Sequence, residues 1–110
     1  MGHVSKKPSY DLDVVQSLVR SGKFRYSERV RKWLHNHGYP PSDTVKGTLL
    51  SLVRNDFLKS DPLEKRPGTF GDIYRTFYEG EQWYVKFFLD DDGALASVVV
   101  WSCCPDGMVH

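Results

Sequence analysis

The sequence predicts an α+β fold: an antiparallel β-sheet packed against about three N-terminal helices. Three observations carry that expectation. Apolar residues recur at spacings of three and four through the first half of the chain. After Gly68 the repeat shortens to two. The alternating runs that follow are joined by short Gly- and acid-containing turns, which suits consecutive antiparallel strands layered on helices.

Taken in order, "MGHVSKKPS" is polar and aperiodic, so residues 1–9 are expected to form a flexible arm. Leu12, Val15, Leu18 and Val19 then mark one helix face, and Gly22 supplies its C-terminal stop. "KFRYS" is a short link or small strand. Ser27 caps a second helix with Glu28 in its first turn, and Val30, Trp33, Leu34 and His37 form its stripe. A third helix is expected from Ser42, with Val45, Leu49 and Leu52 on one side and Gly47 allowing close packing. "RNDFLKS" reads as a last turn or short helical continuation ending at Lys59, and "DPLEKRPG" as a loop carrying Lys65 and Arg66.

"TFGDIYRTFY", "WYVKFFLD" and "ALASVVVWSC" follow as three strands, turned at "EGEQ" and "DDG". On the middle strand Trp83, Val85, Phe87 and Leu89 make an unbroken apolar row. Tyr84, Lys86 and Phe88 share the other face, with phenol and ammonium about 7 Å apart. The organisation expected is one domain over 10–110, mainly helical over 10–59 and mainly antiparallel strands over 69–104.

Composition narrows the function classes. Hydrophobic residues at 40% and charged residues at 26% fit a globular chain. No apolar stretch has the character of a signal peptide or a bilayer span, so a cytoplasmic protein without membrane attachment is expected. The net charge of +1 conceals an uneven distribution, with 11 Lys or Arg against 5 Asp or Glu in residues 1–59, and 4 against 9 in the remainder. A basic half suits a polyanion such as RNA, and a solvated helix surface equally.

The two cysteines, Cys103 and Cys104, are adjacent. A metal site needs more ligands than they offer, and neither a Cys-x-x-Cys spacing nor a histidine cluster is present. A disulfide between neighbours closes a strained ring. "DDDG" looks like a solvated turn rather than a metal loop. No metal and no cofactor are expected.

Lys59, Arg75, Tyr84 and Lys86 are the side chains with phosphate chemistry to offer. Cleavage of RNA by attack of the 2′-hydroxyl on the adjacent phosphate needs a proton acceptor, cations for the phosphoryl charge and a donor for the leaving oxygen. A half-exposed sheet face with aromatic and long basic residues is the competing explanation of the same pattern. Trp101 is the tryptophan best placed to stack on a base.

The segments "VVQSLVRSGKFRYSERV", "LVRNDFLKS", "FGDIYR" and "WYVKFFL" appear in an order and spacing that resembles the motility quorum-sensing regulator (MqsR) toxins of type II toxin–antitoxin modules. The resemblance spans residues 10–104. It implies a RelE-like ribonuclease toxin fold and a metal-independent endoribonuclease, an mRNA interferase, neutralised by a cognate antitoxin. Messenger RNA and that antitoxin are the partners implied, and a part for the ribosome is left open.

Carried over by position, the resemblance puts Lys59 and Tyr84 in the cleavage site. It makes Arg75 and Lys86 substrate binders, to which the loop residues Lys65 and Arg66 and the ring of Trp101 add. Two family positions are altered. Gly71 stands where relatives carry an active-site Gln, and Cys104 where they carry a catalytic Lys. The expectation for Cys104 is replacement rather than catalysis. A catalytically weakened RNA-binding or regulatory protein of the same fold, or a protein-interaction module, are the alternative functions.

Overall fold

The computed structural model describes residues 5–91 and 96–107. His3, His110 and the Asp92–Gly93 part of the expected hairpin turn lie outside the described residues. Helix α1, Leu12–Arg20, starts where the Asp11 carboxylate accepts the Asp13 amide at 2.9 Å. It stops at Gly22, whose φ of 77° is left-handed and favours a residue without a Cβ. After β1, Phe24–Tyr26, the Ser27 hydroxyl caps α2, Glu28–Asn36, by accepting the Val30 amide at 3.2 Å. Helix α3 runs Pro41–Ser51, with proline in the first turn where a missing N–H costs nothing.

Val30 and Leu34 form the buried stripe of α2 as expected, but His37 does not join it. Its ring is exposed and stacks on Trp33 at 3.9 Å between centroids, so it covers the tryptophan from outside.

The sheet has five strands in the order β1-β5-β4-β3-β2. β3 (Phe70–Tyr78), β4 (Glu81–Asp90) and β5 (Ser97–Pro105) form the expected antiparallel meander. Two features go beyond that expectation. β1 pairs with β5 in parallel, making the sheet mixed. No hairpin links these two strands, so no tight turn dictates an antiparallel pairing. β2 covers Phe57–Pro62 and pairs antiparallel with β3.

The helical reading of "RNDFLKS" is therefore corrected. One 3-10 turn, Arg54–Asp56, closes as Asp56 accepts the Val53 amide at 3.0 Å, and the chain then extends. Lys59 sits on a strand and not at a helix end. The strand escaped a periodicity reading because it is an edge: of its six residues only Ser60 is buried, and no apolar alternation marks it.

All three helices pack on one face of the sheet. Val15, Val19, Val30, Leu34, Val45 and Leu49 are fully buried there, against Trp83, Val85, Phe87, Val98 and Val100. Residues 5–10 run beside β2 and β3. Ser5 pairs with Ser60, and the amides of Ser9 and Tyr10 each donate to the Asp72 carboxylate at 3.0 Å. Asp72 is itself buried, and burial raises its carboxyl above the ordinary range despite these bonds.

Helix α3 approaches the sheet closely at Gly47. A Cβ there would fall 2.3 Å from the ring of Tyr78. Gly47→Ala is expected to destabilise the protein by about 1–3 kcal/mol, the scale of core overpacking, although alanine is the better helix former. A urea titration checks this. A higher midpoint for Gly47→Ala would mean that Tyr78 yields freely and that the close approach matters little.

Candidate functional site

The helices occupy one face, and the strand alternation delivers the basic and aromatic side chains to the other. Lys59 on β2 lies opposite Ile73 on β3, Ile73 opposite Lys86 on β4, and Lys86 opposite Ser102 on β5. Lys59 and Lys86 are thus two strand spacings apart, roughly 10 Å between backbones, with the fully buried Ile73 as the floor between them. The next row holds Arg75, Tyr84 and Cys104, each opposite its neighbour.

Two register steps shape this face. One falls at Leu58, between the Phe57–Tyr74 and Lys59–Ile73 pairs. The other falls at Trp101, between the Lys86–Ser102 and Phe87–Val100 pairs. An extra residue in a strand re-aims the side chain beside it. Here Trp101 is left facing the open side, near Phe88 at 6.3 Å between centroids. The turn from Leu63 to Thr69, closed by the Leu63 amide on the Thr69 carbonyl at 2.9 Å, folds over the same region. It seats the Arg66 guanidinium 4.7 Å above the Phe88 ring.

A groove of about 490 Å³ results, and Lys59, Lys65, Arg66, Lys86 and Trp101 all line it. Arg29, Asp61, Pro62, Leu63 and Glu64 complete the lining. Five cationic side chains against two acidic ones make the groove far more positive than a chain of net charge +1. Such local charge draws in an anion whatever the overall balance.

Arg75 and Tyr84 border the groove from the next row rather than line it. Arg75 is held by Asp106 at 2.8 Å. The Tyr84 phenol is pushed above its ordinary value, first by burial and then by the charge of Asp61 and by Cys104, so it keeps its proton.

Gly71 and Cys104 have structural consequences of their own. A Cβ on Gly71 would meet the Cε of Lys86 at 2.8 Å and a methyl of Leu63 at 3.1 Å. The bare glycine lets the lysine stem lie flat against β3. Cys104 is buried directly opposite Tyr84, and burial with the Asp106 charge pushes its thiol up. Cys103 faces the helices, 3.5 Å from the Thr48 hydroxyl, and burial pushes its thiol to about 12. Neither cysteine forms a disulfide. A neutral thiol offers no cation to a phosphate.

Sequence reasoning missed Arg29 and Asp61. Arg29, exposed on α2, reaches across to donate to the Trp101 carbonyl at 3.1 Å. Asp61 was hidden in a segment read as loop. Recognising β2 would have exposed it, because Asp61 is two residues beyond Lys59 and so on its face. Among the described residues, no three His, Cys, Asp or Glu side chains cluster as metal ligands, and no helix is long and apolar enough to cross a membrane.

Residues 7–100 match the family described as "Motility quorum-sensing regulator, toxin of MqsA". No curated protein matches the chain. With most of its length matched, and with helices on one side of the sheet as that family's resemblance implied, the chain belongs to the motility quorum-sensing regulator toxin family.

The thiols give a direct test of the buried row. At pH 8 the Cys103 thiol, pushed up to about 12, is ionised in about one molecule in ten thousand, burial pushes the Cys104 thiol up as well, and only the thiolate reacts with iodoacetamide. Native protein should be alkylated at Cys103 and Cys104 far more slowly than protein in denaturant, as read by mass spectrometry. Fast labelling of Cys104 in the folded state would show an activated thiol at the edge of the groove, contrary to this assignment.

Proposed function

We propose that this member of the toxin family is a metal-independent endoribonuclease that cuts messenger RNA by attack of a ribose 2′-hydroxyl on the adjacent phosphate. The single observation that carries the reading is the groove on the helix-free face, where Lys59, Lys86 and Arg66 converge beside Tyr84 and Trp101. Family membership supports it.

The chemistry follows from the placement. A phosphodiester seated over Ile73 lies between the Lys59 and Lys86 ammoniums, which neutralise the charge that builds on its non-bridging oxygens as the 2′-oxygen adds. Tyr84 retains its phenolic proton and donates it to the departing 5′-oxygen. The products are a 2′,3′-cyclic phosphate and a free 5′-hydroxyl. Lys65 and Arg66 take a neighbouring phosphate, and Trp101 stacks on a base. Arg75, fixed by Asp106, adds positive field from the flanking row.

Such an activity in the cytoplasm requires restraint, and the family description, "toxin of MqsA", supports a cognate antitoxin as the protein partner. A second reading is favoured by one observation: Gly71 and Cys104 contribute neither an amide nor an ammonium to the face. An RNA-binding protein with little cleavage would keep the groove and lose the chemistry.

Single-turnover cleavage of a long unstructured RNA in chelator separates the two. The parent protein should leave cyclic-phosphate ends. Lys59→Ala and Tyr84→Phe should slow the chemical step by roughly 10- to 1000-fold, the scale of losing one electrostatic or proton-transfer group. Cys104→Ala should change it little. Salt-sensitive RNA retention without shortened products would favour the binding protein, and a strict magnesium requirement would overturn the mechanism.

A further inference from the structure

Most acidic side chains on the sheet and its flanks have structural work. Asp72 takes the amides of Ser9 and Tyr10, Asp106 pairs with Arg75 at 2.8 Å, and Asp90 pairs with Arg25 at 2.6 Å. Asp61 differs from all of these. It lines the cationic groove, its side chain only 21% exposed, yet its Oδ1 is buried and finds no hydrogen-bond partner among the described residues. Its Oδ2 lies 3.6 Å from the Lys59 ammonium, too long for a direct hydrogen bond.

A carboxylate kept for stability spends its oxygens on N–H donors, and native folds rarely leave a buried polar atom unsatisfied. Asp61 is instead fixed on β2, opposite Gly71, two residues from Lys59 and on the same face. Its charge reaches Tyr84, where it is the largest influence after burial holding the phenolic proton in place. Acid and carboxylate therefore belong to one electrostatic neighbourhood.

We propose that Asp61 is the general base of the reaction, taking the proton of the attacking 2′-hydroxyl. The inference rests on the ribonuclease reading above and supplies the one role that reading left open. The 2′-oxygen forms its bond to phosphorus as its proton passes to Asp61 Oδ2, the carboxylate oxygen beside Lys59 and not the buried Oδ1. The phosphorus–O5′ bond breaks as the 5′-oxygen takes the proton of Tyr84. Solvent then returns one proton to the phenolate and removes one from Asp61. Lys59, beside Oδ2, neutralises the phosphoryl oxygens and holds the carboxylate toward the same phosphate. Base and acid are then separate residues, as a concerted in-line displacement requires. Glu64 also lines the groove but stands exposed on the turn, away from the strand that fixes Lys59.

Asp61→Asn keeps the shape and removes the base. Against the parent protein, cleavage should fall by about 100- to 10,000-fold, the range for a positioned proton acceptor. RNA should bind as tightly or more tightly, because a negative charge has left a phosphate site. The rate for Asp61→Asn should also climb steadily with pH, as hydroxide replaces the missing base, where the parent levels off. Asp43→Asn, at an exposed carboxylate on α3 away from the groove, serves as the contrast, with parent-like cleavage expected, and thermal melts establish that each variant is folded.

Faster cleavage together with tighter binding in folded Asp61→Asn would overturn the assignment and make Asp61 a repulsive neighbour of the substrate. Parent-like cleavage by Asp61→Asn, with Lys59→Ala and Tyr84→Phe impaired, would overturn it while leaving the ribonuclease reading intact. Failure of the parent protein to cut RNA would overturn both.

Discussion

The architecture depends on the burial of one face of the sheet under three helices. Trp83, Val85 and Phe87 on β4 and Val98 and Val100 on β5 are essentially without solvent contact. Each buried side chain of that size contributes about 1.5–3 kcal/mol relative to exposure. Because strand side chains alternate, fixing this row fixes the other one. Tyr84 and Lys86 have no choice but the open face, and a slip of one residue would put an ammonium in the core and a tryptophan in water. The groove chemistry is thus set by the packing on the opposite side.

That coupling explains what was legible in the sequence. The β4 row reads directly because four apolar residues alternate with Tyr84 and Lys86, and the helices read through their stripes and the caps at Ser27 and Gly22. Gly47 was also readable, since glycine inside a helix calls for a packing reason, and Tyr78 supplies it. β2 was not readable. An edge strand with one buried residue carries no apolar period, and its position depends on pairing with β3, a long-range event. The parallel placement of β1 is likewise a consequence of assembly and not of local pattern. The site suffered in proportion: Lys59, Tyr84 and Lys86 were named from the chain, whereas Asp61 and Arg29 needed β2 and the Trp101 step to become visible.

The groove also shows how a small sheet can present cations without collapsing on itself. Arg75 and Asp106, and Arg25 and Asp90, are exposed pairs of modest energetic worth that fix long side chains at the rim. In the centre, Lys86 rests on a glycine and Lys59 has only a loose acidic neighbour, so both ammoniums stay available to a ligand. Gly71 and Lys86 act together in this arrangement, the missing side chain of one being the resting place of the other. Cys104 fills space beside Tyr84 and helps to bury its ring, which is a packing contribution to the same face.

The central claim is that RNA lies on the helix-free face, over Ile73. It is tested most directly by amide and methyl NMR of the labelled protein titrated with a short RNA whose 2′-hydroxyls are methylated, so that it binds without being cut. The account predicts that shifts centre on Ile73, Lys86, Trp101 and the turn from Leu63 to Thr69, and weaken as salt rises. Shifts confined to α1 and α3, with the β4 and β5 open-face residues unmoved, would contradict it.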